Sequence, residues 1–355
     1  MFYGPPAEAM DAARRFGSGP TDHRYGLVEG LPALLDALET KLARENNIRV
    51  RPASRVLVTA GSNMGFMSAA LGIADQGDEF ILPVPYYFDH EMAVVMIGAK
   101  AVTVPTKPDY QLDLDAIAAA VTPRTRAVVT VSPNNPTGAV YPESDLRALN
   151  ALCRERGIFH IHDEAYEYFT YGDARNFSPG SIDDAAAHTI SLFSFSKGYG
   201  MASWRVGYMV IPELLWSAVN KVQDTLLVCP TGISQHAAIA AANVGSSYSQ
   251  PGIARLNQTR QLVWRELTQA SAPFDTPASW GAFYYFIRVH TTMDALPVVE
   301  RLVREHRIAV MPGSAFGAPG CHLRVSYGAV DEETAVEGVR RLVSGLRAIV
   351  GAGHA

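Results

Sequence analysis

The chain has 355 residues, of which 48% are hydrophobic and 18% are charged, and its formal net charge at pH 7 is −5. This composition is typical of a soluble globular protein that is large enough to form more than one domain. The small negative charge argues against nucleic acid or an anionic membrane surface as the main partner. The three cysteines, Cys153, Cys229 and Cys321, are far apart and form no CxxC pair, which is typical of a reducing compartment.

No apolar run approaches the roughly 20 residues that span a bilayer. The opening stretch, MFYGPPAEAM, has no basic segment followed by an apolar segment, as a secretory signal peptide would have. We therefore expect a soluble cytoplasmic protein.

Short β-rich runs alternate with longer helical patterns as far as residue 212. This alternation predicts right-handed βαβ units, and therefore a mostly parallel sheet with helices on both faces. The predicted strands are RVLVTA (55–60), EFILPVP (79–85), AKAVTVP (99–105), TRAVVTVS (125–132), GIFHIHDE (157–164), HTISLFSFS (188–196) and RVGYMVIP (205–212).

The pattern changes toward the end of the chain. A long helical region from Pro212 to about Ser271 leads into a predicted mixed layer of strands and amphipathic helices. Those strands are 280–289 and 322–328, and the helices are 294–306 and 331–350. We therefore expect a large three-layer α/β domain at residues 20–255 and a smaller α+β domain formed by residues 256–355 and 1–19.

In an open parallel sheet, ligands bind outside the carboxyl ends of the strands. Ser62 and Asn63 follow the first predicted strand and open a helix, whose free N–H groups suit an anion, although an ordinary helix cap explains the same pair. Tyr87 follows the second strand and offers a flat face to an aromatic ligand, as it would to core packing. Asn135 lies in the turn PNNPTG, where it can bind a ligand or form an Asx turn.

Asp163 ends a strongly apolar strand, and Tyr166 follows three residues later. A carboxylate in such a place needs a partner that compensates for its desolvation. His160, His162 and Glu164 are also metal-ligand residue types. The two histidines follow simple strand alternation, however, and no other His or Cys cluster completes a site, so we expect no metal.

Lys197 follows the strand 188–196 in the stretch SFSKGYGMASWR, which contains no acidic residue, and Arg205 lies eight positions later. One ligand explains all of these residues. Pyridoxal 5′-phosphate (PLP) has a phosphate, a basic ring nitrogen, a flat ring, a phenolic oxygen and an aldehyde. The matching residues are Ser62, Asn63, Ser194 and Arg205 for the phosphate, Asp163 for the nitrogen, Tyr87, Asn135 and Tyr166 for the ring and its oxygen, and Lys197 for the aldehyde.

Eight stretches occur in one order along nearly the whole chain: HRYGLVEG, TAGSNMGF, PVPYYFDH, SPNNPTGAVYP, HDEAYEYF, SFSKGYGMASWRVGYMVIP, GAFYYF and HLRVSYG. With them the sequence closely resembles the class I/II aminotransferases, which form the aspartate aminotransferase superfamily of PLP-dependent fold type I. The resemblance implies that Lys197 forms an internal aldimine with PLP and transfers the proton. It also implies that Asp163 pairs with the ring nitrogen, that Asn135 and Tyr166 bind the phenolate oxygen, and that Tyr87 stacks on the ring.

The same resemblance implies that Ser62, Asn63, Ser194 and Arg205 bind the phosphate. Tyr25, in HRYG, resembles the tyrosine that reaches the phosphate of the neighbouring subunit, which implies a homodimer with shared active sites. Arg324, in HLRVSYG, resembles the arginine that binds the substrate α-carboxylate, whereas alternation alone puts Arg324 and Ser326 on a solvated strand face. One departure is that the family usually begins with a glycine-rich stretch that lines the active-site entrance, and MFYGPP falls after it. We expect either a differently built entrance or a shortened form of the chain.

The implied reaction moves an amino group from an L-amino acid to a 2-oxo acid in two ping-pong halves, with Lys197, Asp163 and Tyr166 as catalytic residues. The same lysine and aspartate also serve a PLP-dependent β-eliminating C–S lyase, which is the alternative. Ser194 and Lys197 match the S-x-x-K signature of penicillin-binding proteins, but no KTG or SDN element accompanies them. A sensor on this scaffold would usually have an appended DNA-binding domain, and none is visible. We find no second arginine for a distal carboxylate, which favours neutral or aromatic substrates.

Overall fold

A seven-stranded sheet forms the centre of the larger part of the molecule. The computed structural model describes residues 3–50, 52–269 and 273–352 of the chain. The strands are β1 (Ser54–Thr59), β2 (Glu79–Val84), β3 (Lys100–Pro105), β4 (Thr125–Val131), β5 (Phe159–Asp163), β6 (Thr189–Ser194) and β7 (Gly207–Pro212), in the spatial order β1-β7-β6-β5-β4-β2-β3. Only β7 runs antiparallel to its neighbours, β1 and β6. The predicted mostly parallel sheet is confirmed.

Helices cover both faces of this sheet. They are α1 (Ala7–Arg15), α2 (Pro32–Glu45), α3 (Ser62–Ile73), α4 (Phe88–Met96), α5 (Leu114–Ala120), α6 (Glu143–Arg156), the single turn α7 (Phe195–Gly198), α8 (Trp216–Leu227) and α9 (Gly232–Val244). The next helix, α10 (Gln250–Gln269), packs instead in the core of the carboxyl-terminal part. Strand alternation explains the two covered faces. On β7, Tyr208 and Val210 pack toward α2 and α9, whereas Met209 and Ile211 pack toward α3 and α8. The three-layer arrangement follows from this double burial.

The predicted helical region from Pro212 to about Ser271 contains α8, α9 and α10 as far as Gln269, and its last residues lie outside the described ones. Val228 has a left-handed φ of 66°, and Pro230, which has no N–H group, separates α8 from α9. Gly245, with a φ of 77°, ends α9 and allows the chain to turn into α10. These breaks let α8 pack on α3 and α9 pack on α1 and α2, on opposite faces of the sheet.

A second, antiparallel sheet lies in the carboxyl-terminal part. Its strands are β8 (Phe274–Asp275), β9 (Tyr284–Val289), β10 (Met311–Pro312) and β11 (His322–Ser326), in the order β10-β11-β9-β8, and its helices are α11 (Ala295–His306) and α12 (Glu332–Ala352). Tyr285 and Val325 are opposite each other and pack into the helix-covered core. Arg324 and Phe286 are also opposite each other, and they lie on the other face of the sheet.

The predicted domain boundaries remain predictions. The described part of the amino-terminal segment contacts the large sheet's helices: α1 packs on α9, and Ala9 is fully buried in the same cluster as Leu34 and Ala237. Within the described residues, no helix combines the length and the apolar character that crossing a membrane requires.

Candidate active site

The carboxyl ends of β1, β2, β4, β5 and β6 meet at one edge of the large sheet, because these strands run in the same direction. A cavity of about 290 Å³ opens there, and Arg324 reaches it from the small sheet. The predicted residues that line this cavity are Ser62, Asn63, Tyr87, Asn135, Asp163, Tyr166, Ser194, Lys197, Arg205 and Arg324. Tyr25 does not line it, and its side chain is 85% exposed.

One end of the cavity is suited to an anion. Helix α3 begins at Ser62, directly after Gly61, whose φ is 81°. The Arg205 guanidinium lies so close to Gly61 that a Cβ atom at that position would collide with it. Arg205 Nη1 donates to the carbonyl oxygen of Ala202 over 3.0 Å, and no carboxylate within the described ranges pairs with the guanidinium. The helix N-terminus and this guanidinium together form a site for a phosphate-like group.

Lys197 lies on the single helical turn α7. Ser194 precedes this turn, and its Oγ accepts the Ser196 N–H over 3.1 Å, which caps the turn and fixes the direction in which Lys197 projects. The Lys197 Nζ lies 6.0 Å from the centre of the Tyr166 ring. Burial, together with the charges of Arg205 and Arg324, lowers the pKa of Lys197. The amine therefore loses its proton more readily than an exposed lysine does.

Asp163 is almost fully buried and has two polar neighbours. Its Oδ1 accepts the Ala165 N–H over 2.9 Å, and its Oδ2 lies 3.2 Å from His90 Nε2. The His90 ring is held between Phe66, at 4.2 Å between ring centres, and the edge of Tyr87, at 5.2 Å. The backbone donor and the histidine together fix the position of the carboxylate at the wall of the cavity.

His90 was not identified from the sequence. The signal that could have found it is the spacing in YYFDHEM, where His90 lies one helical turn after Tyr87 and thus on the same side of α4. The identity of its partner could not be read from that spacing, since Asp163 is far away in the chain.

Asp89 was also missed. Its Oδ2 accepts hydrogen bonds from both the Tyr87 hydroxyl and the Asn63 side-chain amide. Burial and the bond to Asp89 raise the pKa of Tyr87, so its phenol stays protonated. One carboxylate therefore holds the tyrosine after β2 and the asparagine of α3 in a fixed relative position.

Arg324, from β11 of the small sheet, also lines the cavity. Its Nη1 donates to Asn135 Oδ1 over 2.7 Å, and its guanidinium carbon lies 4.6 Å from the centre of the Tyr284 ring. The buried Nε has no hydrogen-bond partner, and no carboxylate in the described part of the chain pairs with Arg324. Tyr284 in turn hydrogen-bonds the Tyr166 hydroxyl over 2.7 Å. The cavity thus has a second unpaired cation, oriented by aromatic and amide neighbours.

The histidines of β5 have a different environment. Thr130 Oγ1 hydrogen-bonds both His160 Nε2, at 2.8 Å, and His162 Nδ1, at 2.7 Å. Burial lowers the pKa of His160 to about 3, so this ring is neutral. Across the described ranges, no three metal-ligating side chains come together.

Comparisons with known proteins give the family. The model of the family "Aminotransferase class I and II" matches residues 2–342. A probable aspartate/prephenate aminotransferase of Aquifex aeolicus is 38% identical over 92% of this chain and 84% of its own length. Aromatic-amino-acid aminotransferase 2 of Thermococcus litoralis is 32% identical over 86% and 79%. The crystal structure of an aromatic aminotransferase from Pyrococcus horikoshii superimposes with a TM-score of 0.90 at 31% identity, over 98% of this chain and 94% of that one.

These relatives cover most of the chain, and the β-eliminating lyase alternative finds no support among them. The family, the relatives and the solved structure agree with the residues that meet in the cavity. The chain belongs to the class I and II aminotransferase family, and its enzymatic class is that of the transaminases.

Proposed function

We propose that the cavity binds PLP and that its residues move an amino group between an L-amino acid and a 2-oxo acid. Family membership implies PLP use. The observation that carries the proposal is one set of charges: the Lys197 amine, with its lowered pKa, shares a cavity with the buried Asp163 carboxylate and with the guanidinium groups of Arg205 and Arg324. When bound, PLP supplies a ring that accepts electrons from a bond broken at the substrate α-carbon.

The residues fit this cofactor at each of its polar groups. Ser62, Asn63, Ser194 and Arg205 lie at the anion end and would hold the phosphate. The buried Asp163 would pair with a protonated ring nitrogen, which otherwise would be a buried charge without a partner. Tyr87 would cover the ring, and Asn135 and Tyr166 would hydrogen-bond its phenolic oxygen.

The proton transfer is assigned to Lys197. In its neutral form Nζ would take the proton from the substrate α-carbon, and in its charged form it would deliver that proton to the carbon of the cofactor's former aldehyde group rather than return it to the α-carbon. Burial near two guanidinium groups supports this role, because it increases the fraction of neutral amine at a given pH. Arg324 holds the α-carboxylate, because its guanidinium lines the cavity and pairs with no carboxylate in the described part of the chain. The substrate is thereby oriented with its α-proton toward Lys197.

We also propose a homodimer with shared active sites. The exposed position of Tyr25 supports a contact to a second copy. Exposed apolar side chains on α4, namely Met92, Val95 and Met96, support the presence of a face that another copy covers.

Borohydride trapping tests the proposal. Protein loaded with PLP and then reduced should carry the cofactor on the peptide that contains Lys197, as read by mass spectrometry. Lys197→Ala should carry none, whereas Lys221→Ala, at an exposed position on α8, should be labelled like the unchanged protein. Label on another lysine would refute the assignment.

In the same preparation, an amino acid should aminate an added 2-oxo acid; release of ammonia and a 2-oxo acid without that acceptor would indicate elimination instead.

A further inference from the structure

An aromatic surface lines the cavity beside Arg324. Phe88, the first residue of α4, lines the cavity directly, and its ring centre lies 5.0 Å from Tyr87 and 5.7 Å from Phe316. The centre of the Phe316 ring is 5.0 Å from the Arg324 guanidinium carbon. We refer to Phe88, Phe316 and Tyr284 as the aromatic wall.

Phe88 lies between the proposed cofactor site and the proposed α-carboxylate site. It contacts Tyr87, which would cover the cofactor ring, and Phe316, which flanks the α-carboxylate site at Arg324. The third large substituent of an amino acid, its side chain, has to leave the α-carbon between these two points. Phe88 lines the cavity between these two points and is therefore in position to contact that side chain.

The wall is rigid and apolar behind its surface. Phe316 is fully buried and packs against Phe286, at 5.9 Å between ring centres, in a cluster that also includes Tyr110 and Met311. The Tyr110 hydroxyl donates a hydrogen bond to the Phe286 carbonyl oxygen over 3.2 Å. This cluster offers no free donor to a polar side chain.

The cationic residues of the cavity also favour an apolar substrate side chain. Lys197, Arg205 and Arg324 are the cationic residues that line the cavity within the described ranges, and each already has a role in the proposed function. Within one subunit, a second carboxylate on the substrate would be desolvated against Phe88 without a cation to pair with. An aromatic side chain would instead bury apolar surface and pack edge to face on the wall.

We propose that Phe88 determines substrate specificity and that the preferred amino donors carry aromatic or large apolar side chains. The names of the relatives include both aspartate and aromatic amino acids, so the preference is inferred from the wall itself. The inference rests on the proposed function, since it assumes that Arg324 binds the α-carboxylate.

A half-reaction assay tests the substrate class. Cofactor-loaded enzyme is mixed with phenylalanine, leucine, alanine or aspartate, and the loss of the bound cofactor's absorbance band gives kcat/KM for each. We expect phenylalanine to exceed aspartate by about tenfold or more, as apolar pockets usually discriminate. An equal or better reaction with aspartate would overturn the inference and leave the proposed function intact. If none of the four amino acids removed the band, the result would instead count against the proposed function.

Binding of unreactive acids provides a second readout that does not depend on turnover. By calorimetry on the cofactor-loaded enzyme, 3-phenylpropionate should bind about tenfold or more tightly than succinate. Phe88→Ala should remove most of this difference, and Phe88→Leu, which keeps an apolar side chain and protects against misfolding, should remove part of it. Leu296→Ala, at an exposed position on α11, is the matched control and should keep the ratio. Wild-type ratios in both Phe88 variants, with the cofactor band present, would refute the role of Phe88.

Discussion

Arg324 and Asn135, which are far apart in the chain, are joined by a 2.7 Å hydrogen bond from Nη1 to Oδ1. Arg324 belongs to β11 of the small sheet, and Asn135 to the turn after β4 of the large sheet. The bond therefore connects the two sheets across the cavity. It also couples the proposed carboxylate site to a residue that faces the proposed cofactor ring.

Arg324→Ala should weaken the use of every amino acid substrate. The variant loses the cation for the α-carboxylate, and truncating one partner of a buried charge pair costs about 2–5 kcal/mol, or roughly 30- to 4,000-fold in kcat/KM. The loss should appear with phenylalanine, alanine and aspartate alike, because all share this carboxylate. Steady-state kinetics measures it.

Arg288→Ala is the control for this experiment, since Arg288 lies on β9 of the same sheet and is exposed. It should keep normal kinetics. If Arg324→Ala kept the wild-type kcat/KM, another group would have to bind the α-carboxylate.

Asp163→Ala should retain some cofactor but lose most activity. The carboxylate that pairs with the ring nitrogen is removed, and we expect a loss of about 10²–10⁴-fold in rate, the range found for acid–base groups. The measurement is kcat together with the pH titration of the cofactor's absorbance band. Full turnover in this variant would contradict the role of Asp163.

His90→Phe should lower the rate as Asp163→Ala does, but by a smaller factor. The ring still fits between Phe66 and Tyr87, but Asp163 Oδ2 loses the polar neighbour that lies 3.2 Å away. Leaving a buried polar group without its neighbour costs about 1–3 kcal/mol, so a loss of roughly 5- to 100-fold is expected. The pH at which the cofactor band titrates should shift as well. His236→Phe, outside the cavity, should shift neither quantity.

Lys197→Met should stabilise the cofactor-free protein at neutral pH. The pKa of Lys197 is lower in the folded state than its ordinary value of 10.5, so between these two values the unfolded state binds more protons. The free energy of unfolding of the unchanged protein therefore rises with pH through that window, and below it the charged amine is a penalty. The methionine variant lacks this penalty, so its advantage should shrink as the pH approaches 10.5.

Thermal unfolding at several pH values, without cofactor, measures this difference. Lys221→Met provides the control because Lys221 is exposed on α8, and its melting temperature should follow that of the unchanged protein. A Lys197→Met variant that melts at a lower temperature than the unchanged protein at pH 7 would show that the amine is stabilising instead.

Mixing two inactive variants tests the shared active site. Lys197→Ala lacks the amine in its own site, and Tyr25→Ala lacks the residue that we propose reaches the partner's phosphate. In a mixed dimer, one site combines the intact Lys197 of one subunit with the intact Tyr25 of the other, so activity should rise above the sum of the parents. A mixture that never exceeds that sum would place Tyr25 in its own subunit's site or outside both. Adding wild-type protein to Lys197→Ala controls for subunit exchange.

Much of the fold was predictable because it rests on local patterns. Each predicted strand of the large sheet overlaps an observed one, since apolar runs between turn residues mark buried parallel strands. The break at Pro230 and the turn at Gly245 were not predicted, although both residue types are known helix terminators. The structure of one chain does not test the role predicted for the exposed Tyr25, because the phosphate that it is predicted to reach lies in another subunit.

The sequence by itself determined which chemical groups stand at the carboxyl ends of the strands, from Ser62 to Lys197. The direction of parallel strands then requires these groups to share one edge of the sheet. Only the tertiary structure decided that His90 faces Asp163, that Arg324 bonds Asn135, and that Phe88 packs on Phe316 beside the cavity. The physical reason is that strand and helix periods are short-range signals, whereas contacts between remote elements depend on how whole layers pack against one another.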